Sequence, residues 1–137
     1  MDLPLYSDPE LLLQGRAKTR YFRDKPSRFG LIGRRGTSET VRWFEASPCY
    51  MYHTINAWEE GDRVVMVGCK IEEPLARDPL NKPSDKAVPV IGFLRLAPKL
   101  YRWTFDLTTG ATKEETLDDL WAEFPRMNNS MLGQKTR

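Results

Sequence analysis

An all-β fold is predicted for this chain by three features: its apolar runs are short, one of them alternates strictly with period two, and turn residues separate almost all of them. With 137 residues the chain is long enough for one compact domain or for a piece of a larger one. Hydrophobic residues make up 40%, yet four Trp, five Tyr and six Phe argue that the chain folds and is not a disordered tail.

The elements follow in chain order. Residues 1–30 are rich in turn formers, and a brief helix is expected over residues 10–13, with Asp8 as its cap, Pro9 at the first helical position and Gly15 ending it. From Arg28 onward the pattern becomes extended: RFGLIGR (28–34), VRWFEA (41–46), YMYHTINAWE (50–59) and RVVMVGCK (63–70) read as strands. Glu60-Gly61-Asp62 reads as the tight hairpin turn between the last two. Residues 72–92 carry four of the ten prolines and read as a long surface loop near an entrance or rim. In residues 100–117, Tyr101, Trp103, Phe105 and Leu107 alternate with Arg102, Thr104 and Asp106, which predicts a half-buried strand, turned back at Thr108-Thr109-Gly110 into TKEETL. WAEFPR is one more short apolar segment, followed by an irregular Asn-rich stretch. Six or seven short strands suit a barrel, a sandwich or about two four-stranded blades of a β-propeller, and the pattern alone does not separate these.

Composition also excludes function classes. A net charge of +2, with basic residues interleaved among acids, gives no electrostatic footprint for nucleic acid or for an anionic membrane. Cys49 and Cys69 lack the CxxC spacing of zinc and redox sites, and neither a signal peptide nor an apolar span of transmembrane length is present, so a reduced, cytoplasmic setting is expected.

Few residues carry chemistry. His53 is the single histidine, and two readings stand beside each other: a packed core residue, or one ligand of a metal site. Within this chain only Cys49, Cys69 or carboxylates would be available to complete such a site. The H-x5-E-E spacing to Glu59 and Glu60 is unlike the HExxH zinc helix. The acidic pairs Glu59-Glu60, Glu72-Glu73, Glu114-Glu115 and Asp118-Asp119 read as solvated turns or as neighbours pointing to opposite faces, and RFGLIGRRG lacks the setting of a phosphate loop. Glu123 differs, because it lies between Trp121, Phe124 and Pro125, is expected to be partly buried, and then needs a partner: Arg126, Arg102 or His53.

The stretches MDLPLY, KPSRFGLIGR, RWFEASPCYMYHTINAWEEGD, and AEFPRMN with GQKTR resemble, in that order, the central part of the carotenoid cleavage oxygenases. That family includes the lignostilbene dioxygenases and the retinoid isomerase of the retinal pigment epithelium. The most specific element is the block [YF]-H-x-x-N-A-[WY]-E-E, at residues 52–60. The resemblance implies a seven-bladed β-propeller with one non-haem Fe(II), the Fe(2+) cofactor, held by four histidines, the third of which falls on His53. Glu123 falls on one of the carboxylates that hydrogen-bond the iron-binding imidazoles, so His53 becomes its expected partner. Such a carboxylate fixes the imidazole tautomer and offsets the charge of the metal without taking a coordination position. Trp43, Phe44, Tyr50, Tyr52 and Trp58 are expected to pack the inner strands.

On the same resemblance, residues 1–137 form the central fragment of a single propeller domain, about two blades, with the other three histidines elsewhere. The implied reaction is O2-dependent cleavage of a conjugated C=C bond of a carotenoid, apocarotenoid or stilbenoid to two carbonyl products, with the isolated fragment inactive. A small apolar substrate and O2 are the expected partners, nucleic acid is not, and the resemblance leaves room for a peripheral membrane contact by the full-length protein. The competing reading is a non-catalytic β-rich module, or a remnant, that binds an apolar ligand or a partner protein.

Overall fold

In the computed structural model, which describes residues 1–7, 9–14, 19–75 and 97–135, the chain is built from antiparallel strands. β1 (Leu5–Ser7) pairs with β2 (Thr19–Tyr21), and the short helix α1 (Pro9–Leu13) lies between them in sequence. Pro9 opens that helix, where a missing N–H costs nothing; Asp8 and Gly15 lie outside the described residues. β3 (Ser27–Leu31) pairs with β4 (Arg42–Ala46). β5 (Thr54–Glu60), β6 (Arg63–Lys70), β7 (Lys99–Asp106) and β8 (Thr112–Trp121) form a four-stranded meander in which each strand lies beside its sequence neighbour. Among the described residues the expected set of about two four-stranded units is therefore one four-stranded sheet and two two-stranded ones. Most of the long loop expected over residues 72–92 lies outside the described residues.

Both tight turns follow from their residues. Glu60 pairs with Arg63 across a two-residue loop, and Gly61 has φ +57°, a conformation that suits glycine at the first position of a type II′ hairpin turn. At the next turn the Asp106 carboxylate accepts the backbone N–H groups of Thr108 and Thr109 at 2.9 and 2.8 Å, which closes the loop before β8.

Alternation along β7 sets the core. Tyr101, Trp103 and Phe105 all point to the face covered by the β3–β4 hairpin, whose Phe29 and Phe44 insert between them. The Phe29 ring lies 5.5 Å from Trp103 and 5.4 Å from Phe105, and Phe44 lies 5.3 Å from Phe105, centroid to centroid in tilted pairs. On the opposite face Trp58, Val65 and Val67 pack with Ile55, Leu100 and Leu117.

Two expectations change. Of the five aromatics assigned to the inner strands, Phe44 and Trp58 are buried, whereas Trp43 and Tyr52 are exposed. The physical reason is period two: once Phe44 faces the core, Trp43 must face outward, where the Arg28 guanidinium covers its ring at 5.2 Å. Nor do residues 50–59 form one strand. Tyr50 pairs with Ile71 as an isolated bridge, the register shifts between Thr54 and Asn56, and β5 begins at Thr54, so His53 stands just ahead of the strand.

A polar cluster around the buried Lys70 joins the two layers. The Glu114 carboxylate accepts the Ser47 N–H and hydroxyl at 2.7 and 2.6 Å and lies 3.4 Å from the Lys70 ammonium. Lys70, only 5% exposed, sits 4.0 Å over the Tyr101 ring. Burial pushes the Glu114 carboxyl up, but the Ser47 hydrogen bonds and the Lys70 charge outweigh it and leave the group below its ordinary value.

Trp103→Ala should lower the unfolding free energy by about 3–5 kcal/mol, the usual scale for truncating a buried large aromatic, as measured by urea denaturation. Because Glu114 is depressed in the folded state, its contribution is complete above its unfolded value of 4.5 and is lost as pH falls through the lower folded value. Glu114→Gln should therefore be less stable than wild type at neutral pH, with the gap narrowing in acid; a gap independent of pH would show that the charge contributes nothing.

Candidate functional site

The approach of the chain to β5 determines where the single imidazole stands. The Cys69 N–H donates to the His53 carbonyl at 3.1 Å, which brings residue 53 against β6. Gly68 permits this, since a Cβ there would lie 2.9 Å from Met51 Sδ and 3.2 Å from the His53 carbonyl oxygen. Held by its backbone, His53 projects a side chain that is 43% exposed.

Glu123 arrives from the opposite edge strand of the sheet, β8. β8 ends at Trp121, the Ala122 N–H donates to the Pro98 carbonyl at 3.0 Å, and the chain then turns sharply. Phe124 takes φ +52°, a left-handed conformation costing roughly 1–2 kcal/mol in a non-glycine residue. Glu123 Oε2 accepts the Phe124 N–H at 2.7 Å and stands 2.7 Å from His53 Nδ1, so the pair expected on the resemblance is formed. Arg102 pairs with Glu115 instead, at 3.4 Å. The carboxylate is 17% exposed, but not because of the aromatics beside it in sequence: Trp121 is 69% and Phe124 81% exposed. Phe124 instead lays its ring against that of His53, at 5.2 Å between centroids.

The electrostatics follow from this geometry. Glu123 Oε1 is buried and has no hydrogen-bond partner among the described residues, so Oε2 carries both bonds. Burial raises the Tyr52 phenol above its ordinary value, with smaller contributions from the charges of Tyr50 and Glu123. Burial likewise raises the Cys69 thiol, and the Glu123 charge adds to it. Cys49 is raised by burial as well, against a lowering contribution from its contact with Ser27. In the metal-free chain burial thus favours the neutral form of both thiols.

Among the described residues no group of three or more His, Cys, Asp or Glu side chains is placed to hold a metal. Several of the paired acids have partners of their own: Glu60 accepts from Trp58 and Lys135, Glu114 and Glu115 serve different cations, and Asp119 pairs with Lys99. His53 nevertheless fits the part of one ligand. With Nδ1 donating to a carboxylate, the neutral ring keeps its lone pair on Nε2, the atom a metal would take.

Sequence reasoning assigned no role to Asn56, which is 4% exposed. A polar residue on the same strand face as Trp58 was the available signal, since a buried amide must find partners. Its Nδ2 donates to the carbonyls of Met131 and Gln134 at 3.2 and 2.9 Å, and its Oδ1 accepts the N–H groups of Ala57 and Gly133 at 3.0 and 2.9 Å.

In the metal-free chain at alkaline pH, His53 should carry its proton on Nδ1, and Glu123→Ala should return it to the Nε2–H form that an unpaired imidazole prefers. Long-range 1H–15N correlation reads this without ambiguity because there is one histidine. A wild-type ring protonated on Nε2 would show that the pair does not persist in solution.

The comparisons with known proteins agree along the whole chain. The model of the retinal pigment epithelial membrane protein family matches residues 1–137. The carotenoid 9,10(9',10')-cleavage dioxygenase of Crocus sativus is 34% identical over 139 residues, which cover 100% of this chain and 24% of that protein. The carotenoid cleavage oxygenase of Mycobacterium tuberculosis is 36% identical over 112 residues, 79% of this chain and 20% of that protein. The crystal structure of the lignostilbene dioxygenase of Pseudomonas brassicacearum superposes with a TM-score of 0.73 at 26% identity, over 98% of this chain and 28% of that one. The chain thus spans about a quarter of the length of these relatives. A family match over every residue, joined to these relatives, shows that the chain belongs to the retinal pigment epithelial membrane protein family, the carotenoid cleavage oxygenases.

Proposed function

We propose that these 137 residues are the part of an oxidative C=C-cleaving oxygenase that supplies one imidazole ligand, His53, to a non-haem Fe(II), with Glu123 fixing the orientation of that imidazole. The observation that carries the reading is the 2.7 Å contact between Glu123 Oε2 and His53 Nδ1, which leaves the lone pair of the other ring nitrogen available to a metal. Relatives named for carotenoid and lignostilbene cleavage support the reaction class and a small, apolar, conjugated substrate together with O2. When bound, iron(II) supplies the activation of O2 that splitting a C=C bond into two carbonyls requires.

The chain's own residues do the rest of what can be assigned here. His53 is held through its backbone by Cys69, and through Nδ1 by a carboxylate that brings a negative charge close to the site without coordinating. Phe124 places its ring 5.2 Å from the imidazole, centroid to centroid, in a tilted pair. On this reading the β5–β8 meander is a propeller blade and the β3–β4 hairpin is part of its neighbour. One imidazole does not close an iron site, so three more come from sequence beyond these residues.

Loaded anaerobically with Fe(II) and desalted, the 137-residue chain should keep far less than one iron per chain and should cleave neither an apocarotenoid nor a stilbene. In an oxygenase of full family length carrying this segment, His53→Ala should abolish iron retention, and Glu123→Gln should weaken metal affinity or turnover by about 10–100-fold. One iron per isolated chain, with turnover, would overturn the four-imidazole reading; normal metal content in the His53 variant would return His53 to a packing role.

A further inference from the structure

The chain that carries Glu123 does not stop there. From Phe124 it runs irregularly, makes a short 3-10 turn at Asn129–Met131 and returns to β5, where Asn56 receives it. All four hydrogen-bonding positions of the Asn56 amide are filled, three of them by the backbone of residues 131–134. Such a buried amide is specific: shortening it takes the partner from the Gln134 carbonyl and from the Ala57 and Gly133 N–H groups, and leaves the Met131 carbonyl with the Gln134 N–H alone. A second side-chain tie to β5 among the described residues, Lys135 to Glu60 at 2.9 Å, is solvent-exposed and therefore weak.

His53 and Asn56 lie three residues apart, so one short stretch of chain holds both ends of the return segment: Glu123 at the imidazole and Met131 to Gln134 at the amide. We propose that Asn56 is a positioning residue for the His53–Glu123 pair. It closes residues 123–134 into a loop with two fixed ends, and a closed loop samples far fewer placements of its strained first turn, at Phe124, than a free tail does. Release at Asn56 lets the turn relax and the carboxylate leave Nδ1. The inference deepens the proposed function, but its test needs no metal, so the two stand or fall separately.

The experiment uses the metal-free, 15N-labelled 137-residue chain and its Asn56→Ala, Lys135→Ala and Glu123→Ala variants. With the amide signals of β6 and β7 unchanged, Asn56→Ala should move the His53 proton from Nδ1 to Nε2 most of the way towards the Glu123→Ala result, while Lys135→Ala leaves it in place. An Nδ1–H ring retained in a folded Asn56→Ala chain would overturn the proposal. If that variant does not fold, hydrogen exchange in the wild type decides: the Gly133 N–H, donated to Asn56 Oδ1, should exchange about tenfold or more slowly than an unprotected amide. Exchange at the free-tail rate would overturn it equally. Failure of His53 to affect iron retention in the longer enzyme would refute the metal reading and leave this result untouched.

Discussion

Burial of Trp103 and Phe105 beneath Phe29 and Phe44 fixes the β3–β4 hairpin on the four-stranded sheet, and the placement of the remaining parts follows from that contact. Strand β7 has a partner on each edge, so its face is rigid, and the tilted ring pairs across it leave the hairpin little freedom to slide. The connection from β4 to β5 must then pass over β6, where Cys49 and Met51 join the same cluster and Gly68 lets the backbone come close. His53 is delivered at the end of that passage, just outside the sheet, with its ring half-exposed.

The site is bought with local cost, as functional sites often are. Phe124 sits in a left-handed conformation with most of its surface in water, and one oxygen of Glu123 is buried without a partner among the described residues. A buried unsatisfied acceptor costs about 1–3 kcal/mol, comparable to the backbone strain beside it. Neither feature contributes to holding the fold together. Both put a carboxylate in line with Nδ1, and the hydrogen bond there decides which ring nitrogen is left to act. The Glu114 cluster shows the contrasting, structural use of a carboxylate: both of its oxygens have partners, from Ser47, Lys70 and Tyr101, and it ties the layers together.

Much of the fold was legible because strand alternation and turn chemistry are local. Tyr101, Trp103 and Phe105 lie on one face as their spacing requires, and Gly61 and Gly110 occupy the turns assigned to them. The errors arose where a long-range contact overrides the local pattern. Residues 50–59 look like one continuous strand, yet the isolated bridge from Tyr50 to Ile71 and the bulge after Thr54 break it. Trp121 and Phe124 looked able to bury Glu123, but both are largely exposed, and the carboxylate, 17% exposed, meets His53.

The sequence by itself determined the all-β class, the hairpin turns, the alternation of β7 and, through the block at residues 52–60 and the AEFPRMN stretch, the family and the two residues to watch. These properties are written in short windows, where a side-chain period or a motif can be read directly. Only the tertiary structure decided that Glu123 meets Nδ1 and not an arginine, and that Asn56 receives the chain returning from it. Both contacts close between groups seventy or more positions apart, and the direction of a hydrogen bond across that distance depends on how the layers pack, which no local pattern encodes.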